Sequence, residues 1–294
     1  MRRPEMAQTY LDVLYAATAR LDQAGVDAPR REARLLLALA ADLSPAALIG
    51  LERDELTDAA ILARFEHVLA RREAREPFAH IAGRRGFYGL DFISDGRALV
   101  PRTDSECVVD AALALLPRAT GQTVVDLGTG SGCLLISILK ARRGVTGVGV
   151  ERSPAAAALA RENLKRHDLL DRATIEVCSW KTWQGWGSAD LVISNPPYIA
   201  SADIFQLDTD VRAYEPITAL DGGPDGLDAY REIVMLAAKG LRPGIPLVLE
   251  IGHDQKKPLQ TLLNAHDFTD FGSGRDLGGR DRVVWARASH TFNS

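Results

Sequence analysis

The chain has 294 residues, of which 46% are hydrophobic and 25% are charged, as in an ordinary globular protein. That length accommodates one large α/β domain beside a smaller one. The 39 acidic residues outnumber the 35 basic ones and leave a formal net charge of −4, whereas a protein that grips a nucleic-acid backbone normally carries a basic surface. The charge balance therefore counts against stable nucleic-acid binding.

The three cysteines, Cys107, Cys133 and Cys178, are far apart in the chain and form no C-x-x-C pair. This pattern is typical of a reducing compartment and argues against a disulfide framework or a structural zinc site. No apolar run reaches the roughly 18 residues that cross a bilayer. We therefore expect a cytoplasmic protein with no metal and no membrane segment.

Residues 1–75 are predicted to form a small helical domain. Tyr10, Leu14, Ala17 and Leu21 recur at helical spacing, and Gly25 follows them as a stop signal. Further apolar faces of the same period predict helices over residues 31–41 and around residues 61–69.

Residues 76–101 are predicted to form a linker that contains a β-hairpin. Two short strand-like runs, 87–93 and 97–100, flank the turn-like residues 94–96. Residues 103–106 then read as a capping box that opens a helix extending to Leu116. Under this reading Glu106 has a structural role.

Residues 102–294 are predicted to form the catalytic domain, because strands and helices alternate from Gln122 onward. Such alternation is typical of a mostly parallel sheet wrapped by helices. The predicted strands are 123–127, 145–151, 174–178, 190–194, 245–251 and 281–286, and the predicted helices are 133–141, 154–167 and 228–241.

A glycine loop lies between the first of these strands and its helix. It consists of Gly128, Thr129, Gly130, Ser131 and Gly132, with Asp126 shortly before it. A dinucleotide fold uses G-x-G-x-x-G and places a pyrophosphate at this point. The G-x-G-x-G spacing and the preceding carboxylate, which would repel a pyrophosphate, favour a cationic sulfonium cofactor. We predict that the loop binds S-adenosylmethionine and releases S-adenosylhomocysteine.

Two further positions are predicted to contact this cofactor. Glu151 ends the second strand, about 20 residues after the loop, where an acid can accept hydrogen bonds from both ribose hydroxyls. After the third strand, Trp180 is predicted to pack against the adenine, with Ser179 in place of the acid that many such enzymes carry there. The alternative is that Trp180 belongs to the core.

The segment Asn195-Pro196-Pro197-Tyr198 follows the strand at 190–194. The carboxyl end of a sheet strand is where open α/β folds bind ligands. The Asn195 side-chain oxygen and the Pro196 carbonyl can each accept one proton of an NH₂ group, and Tyr198 offers a flat face for stacking. We predict catalytic roles for Asn195, Pro196 and Tyr198, acceptor binding by all four residues, and a cofactor contact from Asn195. The acceptor is then a planar amide or amine nitrogen.

Nearly the whole chain resembles the protein-(glutamine-N5) methyltransferases of the HemK/PrmC type. Thr103 departs from that family's pattern, which more often has proline after Pro-Arg. Ser179 departs from it as well. The resemblance rests on residues 87–90, 100–106, 126–132, 195–198, 214–216, 219–228 and 275–283.

The resemblance implies a class I S-adenosylmethionine-dependent methyltransferase fold, with a Rossmann-like, mostly parallel, seven-stranded sheet. It also implies that the acceptor is the glutamine of the Gly-Gly-Gln motif in class I peptide chain release factors, held in part by the helical domain. Glutamine methylation of a large-subunit ribosomal protein is an alternative. A third interpretation is methylation of an exocyclic amine in DNA or RNA. That reaction requires binding of the polyanionic nucleic-acid backbone and usually base flipping.

Overall fold

The computed structural model describes residues 9–51, 58–117 and 119–289. The chain divides into two compact units. One, here called the helical unit, comprises the residues up to Gly83 together with Asp208–Tyr214. The other, here called the sheet unit, comprises Arg84–Leu207 and the residues from Glu215 onward. The first unit thus continues past residue 75, where the predicted helical domain ends.

The helical unit is built from amphipathic helices. Thr9 and Asp12 form a capping box at the start of the first helix, and Asp58 caps the fourth by accepting from the amides of Ala60 and Ile61. Leu14 and Leu21 are buried in the shared apolar core, as their spacing predicted. The helices are α1 (Tyr10–Gln23), α2 (Pro29–Ala41), α3 (Pro45–Leu51), α4 (Ala59–Glu73) and α5 (Phe78–Ala82).

No single helix among the described residues is long and apolar enough to span a membrane. Helices α2 and α3 reach that length and composition only as a pair, bent by 92°.

The hairpin is present, but the predicted position of its turn was wrong. Strands β1 (Arg84–Phe87) and β2 (Leu90–Ile93) pair antiparallel around Tyr88 and Gly89. A two-residue turn matches the twist of its strands when both residues have positive φ, and Tyr88 and Gly89 have φ values of 50° and 72°. Asp95, which carried the predicted turn, instead accepts from the amide of Arg97.

The predicted capping box was also wrong. Helix α6 (Glu106–Leu115) begins two residues later than the capping box predicts, after a 3₁₀ turn over Thr103–Ser105. The Glu106 carboxylate accepts from the amide of Tyr88 at 2.8 Å. Glu106 thus fastens the hairpin turn, and neither Arg102 before the 3₁₀ turn nor Ser105 before α6 makes a side-chain cap hydrogen bond.

After α6 the chain continues with alternating strands and helices and ends in an antiparallel pair of strands. These are β3 (Gln122–Leu127), α7 (Cys133–Ala141), β4 (Val145–Glu151), α8 (Pro154–Arg166), β5 (Ala173–Val177), β6 (Leu191–Ser194), α9 (Thr209–Tyr214), α10 (Asp228–Gly240), β7 (Pro246–Glu250), α11 (Lys256–Asn264), β8 (Thr269–Arg275) and β9 (Asp281–Arg287). Helix α9 belongs to the helical unit.

The strands form one seven-stranded sheet in the order β5-β4-β3-β6-β7-β9-β8. The first five of these are parallel, and β9 pairs antiparallel with both β7 and β8. The chain moves outward from β3 to β5 and then returns to the other side of β3 with β6. This reversal creates the crevice at which open α/β sheets bind ligands.

The core lies on both faces of this sheet. In β3, Val124 contributes to one apolar cluster and Val125 to the other, and Ile193 and Val192 in β6 alternate in the same way. Successive side chains of a strand point to opposite faces. Because both faces are covered, the central strands read as continuous apolar runs.

Candidate functional site

The glycine loop adopts a backbone conformation that residues other than glycine rarely adopt. Gly128, Gly130 and Gly132 have φ values of 71°, 55° and 81°, in the left-handed region that favours glycine. The amide of Gly128 donates to the Val150 carbonyl at 2.8 Å, which ties the loop to β4. A Cβ atom on Gly132 would lie 3.2 Å from Ile136 Cδ1. The G-x-G-x-G spacing is therefore required by the backbone path.

Asp126 lies beneath the loop and is 1% exposed. Its Oδ2 accepts from the Thr129 hydroxyl at 2.6 Å, whereas Oδ1 has no hydrogen-bond partner among the described residues. Burial raises the pKa of Asp126 to about 7, opposed by the Thr129 hydrogen bond and aided by the charge of Glu151. Most buried polar atoms have a hydrogen-bond partner, so Oδ1 is an exception.

Two backbone amides hold the Glu151 carboxylate in a fixed orientation. Its Oε2 accepts from the amide of Gly130 at 3.0 Å, and its Oε1 accepts from the amide of Ser153 at 2.8 Å. A carboxylate has about four acceptor positions, so two hydrogen bonds leave it able to accept others in a fixed orientation.

Trp180 lies across the glycine loop. A Cβ atom on Gly128 would be 3.4 Å from Cζ3 of its ring, and the ring also packs against the core. Ser179 and Trp180 both line the cavity described below. Next to them, Lys181 Nζ lies 3.3 Å from Glu232 Oε1. Both residues of this ion pair line the same cavity and were missed from the sequence.

The register between β3 and β6 places the glycine loop beside residues 195–198, here called the acceptor segment. Leu127, which precedes the loop, pairs with Ser194, which precedes Asn195. The Ser194 hydroxyl donates to the Leu127 carbonyl at 2.7 Å. The two motifs, more than 60 residues apart in the chain, thus begin from neighbouring positions at the carboxyl edge of the sheet.

Asn195 points its side-chain Nδ2 at the Ser105 hydroxyl, 3.4 Å away. Among the described residues, no hydrogen bond is made to the Pro196 carbonyl, whereas the Tyr198 carbonyl accepts from Gln255 Nε2 at 2.9 Å. The side-chain oxygen of Asn195 and the carbonyl of Pro196 are therefore available as acceptors.

A cavity of about 350 Å³ joins these elements, within the range of small-molecule sites. Asp126, Gly132 and Tyr198 are absent from its described lining. The predicted site residues that line it are Gly128, Thr129, Gly130, Ser131, Glu151, Ser179, Trp180, Asn195, Pro196 and Pro197.

Both parts of the chain match known families. The PrmC N-terminal domain matches residues 12–83, and the methyltransferase small domain matches residues 107–210. The release factor glutamine methyltransferase of Caulobacter vibrioides is 40% identical over 279 residues, which cover 95% of this chain and 96% of that protein. This chain belongs to the release factor glutamine methyltransferase family.

A second member, the release factor glutamine methyltransferase of Cereibacter sphaeroides, is 42% identical and covers 94% of this chain and 97% of its own length. A crystal structure of a methyltransferase from Pyrococcus furiosus has the same fold, with a TM-score of 0.51 and 16% identity over 75% of this chain and 100% of that one. The predicted family and fold class are confirmed.

In this member of the release factor glutamine methyltransferase family, Tyr198 is the one residue of the segment 195–198 that is absent from the described lining of the cavity. Its hydroxyl donates to Glu250 Oε1 at 3.4 Å, and its ring packs against the core. Burial and the neighbouring Glu250 raise the pKa of Tyr198. Stacking of Tyr198 on the acceptor stays a prediction.

Glu250 is a site residue that sequence reasoning missed. It ends β7 and is 1% exposed. Burial raises its pKa to about 7, against the hydrogen bond from Ser105 and the charge of Arg282. Its position at the end of an apolar strand was the available signal, because the carboxyl ends of parallel strands meet at one edge.

The ion pair of Arg102 and Glu215 was also missed from the sequence, and Arg102 lines the cavity. Arg102 Nη2 contacts Glu215 Oε1 at 2.6 Å and Oε2 at 2.8 Å. The Glu215 side chain is 1% exposed and that of Arg102 is 40% exposed. The Arg102 guanidinium therefore faces the cavity and is held by a buried carboxylate. The two residues are separated by 113 positions, so spacing alone could not join them.

Proposed function

We propose that this chain transfers the methyl group of S-adenosylmethionine to the side-chain amide nitrogen of the glutamine in the Gly-Gly-Gln motif of class I release factors. One observation carries the proposal: a single cavity is lined by both the glycine loop and Asn195-Pro196-Pro197. Family membership and the activity for which the two relatives are named support the same acceptor.

The residues of the cavity fit S-adenosylmethionine. Because Gly128 has no side chain, the space beside the Trp180 ring is not occupied by a Cβ atom. Glu151 offers an oriented carboxylate for the ribose hydroxyls. When bound, this cofactor supplies a methyl group already activated by its sulfonium charge.

The protein's own contribution to the chemistry is positioning. Asn195 Oδ1 and the Pro196 carbonyl accept the two protons of the acceptor NH₂ group, which turns the nitrogen lone pair toward the cofactor. An amide nitrogen is a weak nucleophile because its lone pair is delocalised. Hydrogen bonds that favour a pyramidal nitrogen are stronger in the transition state than in the ground state and so accelerate transfer.

A protein acceptor accords with the net charge of −4, because binding to DNA or RNA relies on cationic surface. We also propose that the helical unit holds the release factor and that the protein acts in the cytoplasm. The match of residues 12–83 to the PrmC N-terminal domain supports the first, and three free cysteines accord with the second.

The test is incubation with methyl-labelled cofactor and, in parallel, a purified class I release factor, a large-subunit ribosomal protein and DNA. We expect label on the Gly-Gly-Gln glutamine of the release factor, located by peptide mass spectrometry. A release factor with that glutamine changed to asparagine is the matched control and should stay unlabelled. Label on the ribosomal protein or DNA alone would refute the proposal.

Hydrogen exchange of the intact protein tests the docking role. Binding of the release factor should protect amides within residues 10–83. Protection confined to the sheet unit would contradict a docking role for the helical unit.

A further inference from the structure

The direction of the Asn195 amide decides whether the proposed acceptor site works. One end of the amide is an acceptor and the other is a double donor, and the two ends have nearly the same shape. If Nδ2 faced the acceptor nitrogen, donor would meet donor. Some group must therefore hold Nδ2 away from the acceptor.

Ser105 is placed to do this. It precedes α6, is 3% exposed and lines the cavity together with Asn195. Its Oγ lies 3.4 Å from Asn195 Nδ2. A hydroxyl has one proton to donate and lone pairs to accept, so this contact fixes the amide only if the Ser105 proton is directed elsewhere.

Glu250 supplies the second partner. The Ser105 hydroxyl is near enough to its carboxyl group to lower the pKa of Glu250 against the larger effect of burial, and the Tyr198 hydroxyl donates to its Oε1. Its Oε2 has no hydrogen-bond partner among the described residues, so this carboxylate oxygen is open to the Ser105 proton. An ionised carboxylate can only accept. When Glu250 is ionised, Ser105 therefore donates to Glu250 and accepts from Asn195.

We infer that Ser105 is a positioning residue that orients the Asn195 amide, with Oδ1 toward the acceptor nitrogen, by donating to Glu250 and accepting from Asn195 Nδ2. This inference rests on the proposed function. It extends the site from the acceptor segment to a directional chain of three side chains. These are Glu250 at the end of β7, Ser105 just before α6 and Asn195 just after β6.

The test compares Ser105→Ala with wild type in single-turnover methylation of the release factor. A hydrogen bond contributes about 1 kcal/mol, so its loss should lower the rate at saturating substrate about 5- to 10-fold, with cofactor Kd changed by less than about 2-fold. Ser137→Ala is the matched control. Ser137 is also a buried serine, 1% exposed, but its hydroxyl donates to the Cys133 carbonyl at 2.7 Å.

A double-mutant cycle separates positioning from a general structural effect. In an Asn195→Ala background the Ser105→Ala change should have no further effect, because the amide that it orients is gone. An equal loss in both backgrounds, or a wild-type rate in Ser105→Ala, would overturn the inference. Failure of wild type to label the glutamine would instead refute the proposed function, so the two failures are distinguishable.

Discussion

Replacing Glu250 by glutamine should make the sheet unit more stable at high pH. Burial raises the pKa of this carboxyl from an ordinary 4.5 to about 7. At 1.36 kcal/mol for a pKa difference of one, the ionised form is disfavoured in the folded protein by about 3 kcal/mol. The raised pKa means that Glu250 contributes stability below pH 4.5 and loses it as the pH rises through about 7.

Glutamine does not titrate, so the advantage of Glu250→Gln over wild type should grow by about 2 to 3 kcal/mol between roughly pH 5 and pH 8. A fixed cost of leaving amide protons unpaired would shift both values equally and cancel in this difference. The surrounding charged and titratable groups are unchanged: they are Asp104, Arg282, Tyr198, Tyr230, Cys107 and Cys133.

The assay is denaturant unfolding followed by tryptophan fluorescence. All four tryptophans, Trp180, Trp183, Trp186 and Trp285, belong to the sheet unit, so the signal reports the unit that contains Glu250. Glu176→Gln, in an exposed position of β5, controls for loss of a carboxylate. A difference in free energy of unfolding that is the same at both pH values would refute the reasoning.

Three further substitutions test other parts of the structure. Asn195→Ala should leave cofactor Kd within about 2-fold of wild type but slow methyl transfer about 100-fold; unchanged turnover would contradict its role. Glu151→Gln should weaken cofactor binding about 10-fold in calorimetry, because it removes a charged acceptor, and equal affinity would count against a ribose contact. Asp210→Ala removes a 2.7 Å partner of Arg72, whose side chain is 7% exposed. It should lower helical-unit stability by about 1 to 3 kcal/mol, read by circular dichroism, with the tryptophan transition as internal control; no loss would show that Arg72 does not need this partner.

Much of the sheet unit could be predicted because its elements carry strong local signals. The bounds of α7 and β4 agree with the predicted ranges to the residue. Strand β8 was missed because it is an edge strand with little burial. Its Gly272 is needed for packing, since a Cβ atom there would lie 2.1 Å from the Trp285 ring. Packing of this kind leaves no periodic trace in the sequence.

The contacts of the helical unit show a similar limit. The Tyr214 hydroxyl donates to the Ala74 carbonyl at 2.6 Å, and Arg72 pairs with both Glu32 and Asp210. These residues come from three distant parts of the chain. Periodicity predicted helices in this region, but a pairing between distant side chains depends on how the elements pack.

By itself, the sequence determined the chemistry that the two motifs offer: a glycine loop whose backbone path excludes side chains, and an amide oxygen with a neighbouring carbonyl for an NH₂ acceptor. These properties are local, because they follow from the residue types and the order in which they occur. Only the tertiary structure decided that the motifs share one cavity, through the pairing of Leu127 with Ser194. It also placed the buried residues Glu250 and Ser105 behind Asn195. Burial raises the pKa of Glu250 there, and Ser105 has a hydroxyl within hydrogen-bonding distance of the Asn195 amide.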